Sequence, residues 1–351
     1  MDLDDIGGLA AVDPADALGD VEATAQQWQD AIATAPPALT LDAVDAVVVS
    51  GMGGSGIAGD ILWALSVHGY PRPIVAHKGY GVPGFTGPRT LVVSFSHSGS
   101  TEETLSGFAE AGRRGAARLV ITSGGPLAEQ AAEAGVAVAA LAPGTRPPRH
   151  SLGSLLVPAL IALGLDHGLG EAIDVLAATA AAQGRHVAAG ENPAKQLAQR
   201  IAGPALIPAA WGGHGMGAVA AYRLKCQFNE NAKLPALFAE LPEADHNDIV
   251  GWEQPSALSG NTALITMRDR AGEHRQVGRR FDVSTGLLTS QLALQAELAA
   301  TGEAPLARMA SLLLQADLLS VYTALAADRD PTPIASINRL KAELASSDAA
   351  R

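Results

Sequence analysis

The sequence predicts an α/β protein of two similar domains, each with a parallel sheet covered by helices on both faces. The 351 residues are enough for two domains of roughly 150 residues. Short apolar strands alternate with helical segments, which is typical of parallel sheets buried on both faces. A strand, a glycine-rich turn and a helix occur twice, with the turns beginning at Gly51 and Gly212, which indicates an internal duplication.

We divide the chain into an N-terminal arm (1–40), a first domain (41–165) and a second domain (166–351). The arm is polar and acidic, and one helix is predicted from Asp20 to Thr34, before two prolines. In the first domain, the pattern predicts strands at 45–50, 73–77, 90–96, 117–123 and 136–141, and helices at 58–68, 102–113, 126–134 and 151–165. In the second, it predicts strands at 205–211 and 263–268, and helices at 170–184, 218–227, 286–301, 304–327 and 333–346.

Composition excludes several classes of partner. The net charge is −12, with 36 acidic and 24 basic residues and no basic run, so neither nucleic acid nor an anionic membrane is expected as a partner. Cys226 is the only cysteine, which excludes an intrachain disulfide and a cysteine-based metal site. The acidic N-terminus has no signal-peptide pattern, and apolar stretches such as 155–165 fall short of the ~18–20 residues of a membrane helix. We therefore expect a cytoplasmic protein.

The first glycine-rich turn satisfies the pattern G-x-G-x-x-G with Gly51, Gly53 and Gly56. A dinucleotide site would also need an acidic residue near the end of the second strand, where His77 and Lys78 stand instead. A P-loop is excluded because no Gly-Lys-Ser/Thr follows the glycines. A tight turn without a ligand remains an open alternative.

The third strand leads into a loop with four hydroxyl side chains, at Ser96, Ser98, Ser100 and Thr101. A helix is predicted to begin there, and Ser100 with Glu103 fits a capping box. Helix N-termini bind phosphate through unpaired N–H groups and positive partial charge. The loop contains no Lys or Arg, which favours a phosphomonoester over a polyphosphate. The alternative is a serine-rich cap without a ligand.

Two further segments concentrate polar residues in the second domain. Residues 229–236 include Glu230 and Lys233, and residues 240–248 include four carboxylates and His246. Taken singly, each is more typical of a solvated surface. Together they supply a carboxylate and a histidine, which aldose–ketose isomerisation requires to move a proton between carbons and to open the sugar ring.

Six segments resemble the bifunctional phosphoglucose/phosphomannose isomerases, which are two-domain sugar-isomerase (SIS) proteins. They are GMGGSGI (51–57), SHSGSTEET (96–104), PRHSLG (148–153), NENAKLPA (229–236), ADHND (244–248) and DPTPIASINRLKAEL (330–344). The resemblance runs in order from about 45 to 345. It implies two SIS-type, flavodoxin-like αβα sandwich domains with a short N-terminal helical arm. It also implies an enzyme that interconverts glucose 6-phosphate, and mannose 6-phosphate, with fructose 6-phosphate through an enediol.

The same resemblance implies roles for individual residues. The substrate phosphate would be bound by Gly53, Gly54, Ser55, Ser96, Ser98 and Thr101. Glu230 would be the base, His246 the ring-opening residue, Arg149 the cation near the reacting oxygens and Lys341 a second cation. From the sequence pattern alone, Arg149 and Lys341 would be surface residues. Two departures, Ser100 for the family's Asn and His97 for an aromatic residue, lie in the phosphate loop and bear on affinity more than on chemistry.

No metal or cofactor is expected, since the histidines show no metal-binding spacing. The family resemblance implies a homodimer with active sites at the subunit interface, where His246 would reach the partner's site. An alternative of another class is a non-catalytic SIS protein that binds a phosphosugar. The presence of all four candidate catalytic residues, Glu230, His246, Arg149 and Lys341, favours the enzyme.

Overall fold

The first half of the chain forms a five-stranded parallel sheet. The computed structural model describes residues 1–67, 69–141 and 146–348, with only the backbone described for 345–348. The strands of this sheet are β1 (Ala46–Ser50), β2 (Ile74–His77), β3 (Thr90–Ser96), β4 (Ala117–Thr122) and β5 (Val138–Ala140). Their spatial order is β2-β1-β3-β4-β5, and every neighbouring pair is parallel. The five strands predicted for the first domain are therefore confirmed.

Helices connect these strands and continue beyond them. They are α4 (Gly53–Ser66), α5 (Glu102–Arg113), α6 (Gly125–Glu133) and α7 (Leu152–Leu163). The central strands β1 and β3 are almost completely buried, as expected for strands covered on both faces. Because β1 lies between β2 and β3, the strand order reverses direction there. In an open parallel sheet, ligands bind at such a switch point, outside the carboxyl ends of the strands.

The second half forms a four-stranded parallel sheet with the order β7-β6-β8-β9. Its strands are β6 (Ile207–Gly213), β7 (Leu237–Leu241), β8 (Thr262–Arg268) and β9 (Leu294–Ala299), and its helices are α8 (Leu169–Gln183), α9 (Pro193–Ala202), α10 (Met216–Gln227) and α11 (Arg275–Leu288). This order repeats that of the first four strands, in support of the predicted duplication. The two-sheet α/β fold is confirmed. The sequence analysis missed β7, α9 and most of α11, and its predicted helix at 286–301 was wrong because β9 occupies that region.

The N-terminal residues form three helices, α1 (Ile6–Val12), α2 (Ala17–Glu22) and α3 (Thr24–Ala33). The third corresponds to the predicted helix. Although the segment is acidic, Leu3, Leu18 and Trp28 are buried in the main hydrophobic core. The N-terminal ammonium donates a hydrogen bond to Ala326 O. The arm is thus packed onto the rest of the chain.

Helix α12 (Pro305–Ala326) crosses the core and contacts α8, α9 and α10. Within the described residues it is the one helix long and apolar enough to span a membrane, but 89% of its apolar window is buried inside the fold. It is a core helix here, and the buried charged residues Arg308 and Asp317 interrupt its apolar sequence. The last helix, α13 (Ala335–Asp348), is exposed along its described side chains.

Candidate active site

Two helix N-termini meet at the switch point of the first sheet. Helix α4 begins directly after β1, and α5 begins six residues after β3, with Met52 and Thr101 as their N-caps. Neither N-cap side chain makes a capping hydrogen bond. The predicted capping box was therefore wrong, since Ser100 Oγ lies 3.0 Å from Ser98 Oγ instead. Helix N–H groups that no side chain caps, next to positive helix-dipole ends, are suited to a phosphate.

Glycine is required at the start of α4 for two separate reasons. Gly53 has a φ of +53°, in the left-handed region that other residues rarely adopt. A Cβ atom on Gly54 would lie 3.0 Å from the carbonyl oxygen of Pro148. The glycines thus allow the segment around Arg149 to approach the helix start closely.

The predicted hydroxyl side chains surround these two helix starts. Ser96 Oγ lies 3.0 Å from Thr101 Oγ1, across the loop from β3 to α5. The His97 backbone N–H donates to Ser55 Oγ at 3.3 Å and so joins this loop to α4. Ser98 is exposed. Burial lowers the pKa of the His97 imidazole, which favours its neutral form.

Arg149 is buried, contrary to what the sequence pattern alone predicted. It lies in a 3₁₀ turn, Pro148–His150, that leads into α7. Its Nε donates to Asn231 Oδ1 at 2.7 Å, and its Nη2 donates to the carbonyl oxygens of Pro331 (2.9 Å) and Thr332 (2.8 Å). Burial lowers the pKa of this guanidinium, and the Glu230 carboxylate partly opposes the shift. The contacts fix the group in one orientation.

Glu230 lies on a turn of π-helix, Phe228–Ala232, that extends α10. Such turns are frequent at functional sites. Asn229 Nδ2 donates to Leu234 O at 2.7 Å, and Lys233, with a left-handed φ of 57°, donates from Nζ to Glu230 O at 2.6 Å. The Glu230 carboxylate is partly exposed, and its Oε2 lies 3.8 Å from Arg149 Nη1.

One cleft brings these parts together. It is lined by Gly53, Gly54, Ile57, Lys78, Arg149, Tyr222, Arg223, Cys226, Gln227 and Glu230. Four candidate residues from the sequence thus share this cleft, namely Gly53, Gly54, Arg149 and Glu230. Ser55, Ser96, Ser98 and Thr101 are not among the residues that line it, although the His97–Ser55 hydrogen bond joins their loop to the first turn of α4.

The sequence analysis missed Lys78, which also lines the cleft. Lys78 follows directly after β2 and forms an ion pair with Asp60. Its Nζ lies 4.8 Å from the centre of the Tyr222 ring, a cation–π distance. Its position at the carboxyl end of a strand next to β1 was the available signal, because functional groups collect at that edge.

A buried polar network behind Arg149 was also missed. Asp317 on α12 accepts hydrogen bonds from Arg223 Nε (2.8 Å) and Nη2 (2.6 Å) and from Gln227 Nε2 (2.7 Å). Arg223 Nη2 also donates to Arg149 O at 2.9 Å. One turn further along α12, Ser320 Oγ accepts from Asn231 Nδ2 at 2.9 Å, and Asn231 in turn holds the Arg149 side chain. Helix α12 therefore supports both the backbone and the side chain of Arg149.

The other two predicted catalytic residues lie away from this cleft. His246 is exposed in a 3₁₀ turn, Glu243–His246, and Lys341 is exposed on α13. Neither lines the cleft. Within the described residues, no group of three His, Cys, Asp or Glu side chains is arranged to hold a metal ion.

Comparison with known proteins finds a matching family model and several relatives. A family model described as the bacterial phospho-glucose isomerase C-terminal SIS domain matches residues 190–344. A bifunctional phosphoglucose/phosphomannose isomerase of Caldicellulosiruptor bescii is 34% identical, over 86% of this chain and 90% of the relative. A protein of the same name from Aquifex aeolicus is 36% identical, over 91% of this chain and 94% of the relative.

A more distant relative is named for a different activity, and one solved structure supports the fold. The D-glucosamine-6-phosphate 4-epimerase of Sulfolobus acidocaldarius is 32% identical, over 67% of this chain and 71% of the relative. The crystal structure of a glucose-6-phosphate isomerase like protein from Thermus thermophilus has a TM-score of 0.65 at 19% identity, covering 97% of this chain and 98% of that one. On the identity and coverage of its relatives, the chain belongs to the bifunctional phosphoglucose/phosphomannose isomerase family.

Proposed function

We propose that this protein interconverts glucose 6-phosphate with fructose 6-phosphate, and mannose 6-phosphate with fructose 6-phosphate, in the cytoplasm. The observation that carries the proposal is the shared cleft, in which Glu230 and Arg149 face the uncapped start of α4. A carboxylate, a fixed cation and an anion site within one cleft are the groups that isomerisation of a sugar phosphate needs.

The phosphate would bind between the starts of α4 and α5. Backbone N–H groups at Gly53 and Gly54 and the hydroxyls of Ser55, Ser96 and Thr101 would donate to its oxygens, and Ser98 would contribute from the exposed side of the loop. These contacts are the same in substrate and transition state. They therefore provide affinity and orientation, and leave the rate enhancement to other groups.

Glu230 would carry the proton between carbons 1 and 2 of the open-chain sugar. Its carboxylate removes the proton from carbon 2 of the aldose, the C–H electron pair forms the carbon–carbon double bond of the enediol, and the carbonyl oxygen at carbon 1 gains negative charge. The proton of the carbon 2 hydroxyl passes to the carbon 1 oxygen, and return of the carbon-bound proton to carbon 1 then gives the ketose, with its carbonyl at carbon 2. Arg149 is already oriented by its three hydrogen bonds, so its guanidinium can stabilise that charge without reorganisation.

The enediol accounts for two epimers in one site. Removal of the carbon 2 proton makes that carbon planar and erases the one stereocentre that distinguishes glucose 6-phosphate from mannose 6-phosphate. Both sugars then pass through the same intermediate if Glu230 can reach either face of carbon 2. Rotation about the bond between carbons 2 and 3 would present the two faces in turn.

Ring opening would fall to His246 of a second subunit in a homodimer. His246 and Lys341 are both exposed, and neither reaches the cleft of its own chain. An exposed histidine on a short 3₁₀ turn is accessible to a partner, which supports this assignment. Lys341, on the exposed helix α13, is the second cation in this proposal.

The test is to incubate the protein with fructose 6-phosphate in heavy water and analyse the sugars formed. We expect glucose 6-phosphate and mannose 6-phosphate with deuterium at carbon 2, and full activity in the presence of a chelator. Glu230→Gln keeps the shape but removes the base, so the rate should fall about 100-fold or more, while Glu253→Gln, an exposed carboxylate, should not change it.

Three outcomes would contradict the proposal in different ways. Binding without turnover would indicate a non-catalytic phosphosugar-binding protein. A change at carbon 4 of glucosamine 6-phosphate without label at carbon 2 would indicate the epimerase reaction named for one relative. Deuterium in glucose 6-phosphate alone would agree with an enediol intermediate but would refute the activity with mannose 6-phosphate.

A further inference from the structure

We propose that the N-terminal helices α2 and α3 are part of the active-site structure and that Gln27 is the residue through which they position Arg149. The proposal rests on the function proposed above, because it assigns to Arg149 the stabilisation of charge in the reaction. It gives a role to residues outside the matched motifs. Three contacts from these helices, described below, reach the segment on both sides of Arg149.

Gln27 makes the most direct contact. Its side chain is buried in α3. Its Nε2 donates to the carbonyl oxygen of His150 at 2.6 Å, and its Oε1 accepts from the backbone N–H of Gly153 at 2.8 Å. One side-chain amide thus binds a backbone carbonyl at the end of the 3₁₀ turn and a backbone N–H at the start of α7. The amide therefore holds the His150–Ser151 peptide, which lies one residue beyond Arg149.

Close packing of the next residue fixes the same junction. Trp28 is buried against Gly153, and a Cβ atom at position 153 would lie 2.3 Å from Trp28 Cδ1. Only glycine therefore allows α3 to approach α7 at this point. The close approach brings the Gln27 amide within hydrogen-bond distance of the two backbone groups.

Asp20 on α2 holds the segment from the N-terminal side. Its Oδ1 accepts from Arg146 Nε at 3.0 Å, and its Oδ2 lies 3.8 Å from Nδ1 of the buried His150 ring. The Arg146 bond lies on the N-terminal side of Arg149 and the Gln27 bonds lie on its C-terminal side, so hydrogen bonds from the two helices bracket the arginine. Catalytic geometry is sensitive to such anchors, because a displacement of about 1 Å can lower a rate by about 100-fold.

The experiment compares Gln27→Met with Gln26→Met in the full-length protein. Both substitutions keep the length of the side chain, but Gln26 is exposed and bonds only Asp30 among the described contacts. We expect Gln27→Met to lower kcat about 10-fold, with KM for fructose 6-phosphate changed less than about threefold, because the phosphate loop is untouched. Gln26→Met should match the parent.

A double-mutant cycle separates positioning from general stability. If Gln27 acts through Arg149, adding Gln27→Met to Arg149→Met should lower kcat no further, although the melting temperature should still fall. An equal further loss of kcat in that background, or parent-like kcat in folded Gln27→Met, would overturn the proposal. Should Gln27→Met not fold, Asp20→Asn provides the same test on a half-exposed side chain, with a smaller expected loss of kcat.

Failure of the proposed function can be recognised separately. If the parent does not isomerise fructose 6-phosphate, the function fails whatever the variants do. Calorimetric titration with glucose 6-phosphate then decides the positioning. The positioning role is supported if Gln27→Met weakens glucose 6-phosphate binding in the parent background but not in the Arg149→Met background. It is overturned if Gln27→Met leaves binding unchanged, if the effects of the two substitutions add, or if the parent does not bind this sugar.

Discussion

Arg149 Nη1 lies 3.8 Å from Glu230 Oε2, and the two residues come from different halves of the molecule. Arg149 follows the last strand of the first sheet. Glu230 lies in the turn that extends α10, the helix after the first strand of the second sheet. The proposed charge-stabilising group and the proposed base therefore meet only where the halves are packed together. Supports for this pair lie on α12 and on the N-terminal helices, and they can be tested one by one.

The hydroxyl groups of the phosphate loop should affect substrate affinity more than turnover. In Ser96→Ala combined with Thr101→Ala, two proposed phosphate donors are lost from both the ground state and the transition state. We expect KM for fructose 6-phosphate to rise about tenfold or more, with kcat changed much less. Inorganic phosphate should compete with substrate in the parent and compete less well in the variant. Unchanged KM would mean that the loop has only a structural role.

Substitution of Ser320 should lower kcat, whereas substitution of Ser311, a second buried serine of α12, should not. Ser320 Oγ donates to Asp317 O and accepts from Asn231 Nδ2, while Ser311 Oγ donates to Arg308 O and accepts from the Thr301 N–H. Each alanine variant leaves one donor unpaired, so both should cost about 1–2 kcal/mol of stability. Only Ser320→Ala should also lower kcat, because Asn231 orients Arg149. Equal kcat in the two variants would remove Ser320 from the active-site support.

Lys233 should make part of the stability depend on pH. Burial, and then repulsion from Arg149, lower the pKa of its ammonium to about 8. In the unfolded chain the group keeps its proton up to about pH 10.4, so between these values the unfolded state binds more protons and stability rises with pH. The free energy of unfolding of the parent, relative to Lys233→Met, should therefore increase between about pH 8 and 10. A difference in the free energy of unfolding that does not change over this pH range would refute the assignment.

Mixed subunits provide a test of the homodimer. Glu230→Gln and His246→Ala should each be inactive alone. If His246 serves the partner's site, a mixture with proven subunit exchange should regain activity, because one site of each hybrid contains both intact residues. No recovery would place both residues in the same chain's site.

Local patterns predicted the two strand–turn–helix elements at the proposed phosphate site, because each turn is specified by neighbouring residues. Gly51–Gly56 and Ser96–Thr101 both follow apolar strands, and their positions at one sheet edge follow from the parallel topology. Strand β9 was mistaken for a helix because its residues, Leu, Gln, Ala and Glu, are strong helix formers. Pairing with β8 outweighs that local preference.

The setting of Arg149 could not be predicted from its neighbours in sequence. Its partners come from Asn231, Pro331 and Thr332, all distant along the chain, and only folding brings their oxygens to one guanidinium. The contacts of Asp317 and Ser320 could not be predicted either, because in the sequence they are isolated polar residues in an apolar helix. The roles of His246 and Lys341 remain predictions.

The repeated strand order has a consequence for how the cleft is divided. Helices α4 and α10 occupy equivalent places, each after the first strand of its sheet, and they pack against each other. The glycines lie in the first turn of α4, whereas Glu230 lies in the π-helical turn that extends α10. The two equivalent helices therefore contribute opposite ends to the cleft. Neither half alone would contain all of its lining, so the packing of α4 against α10 is itself a requirement of the site.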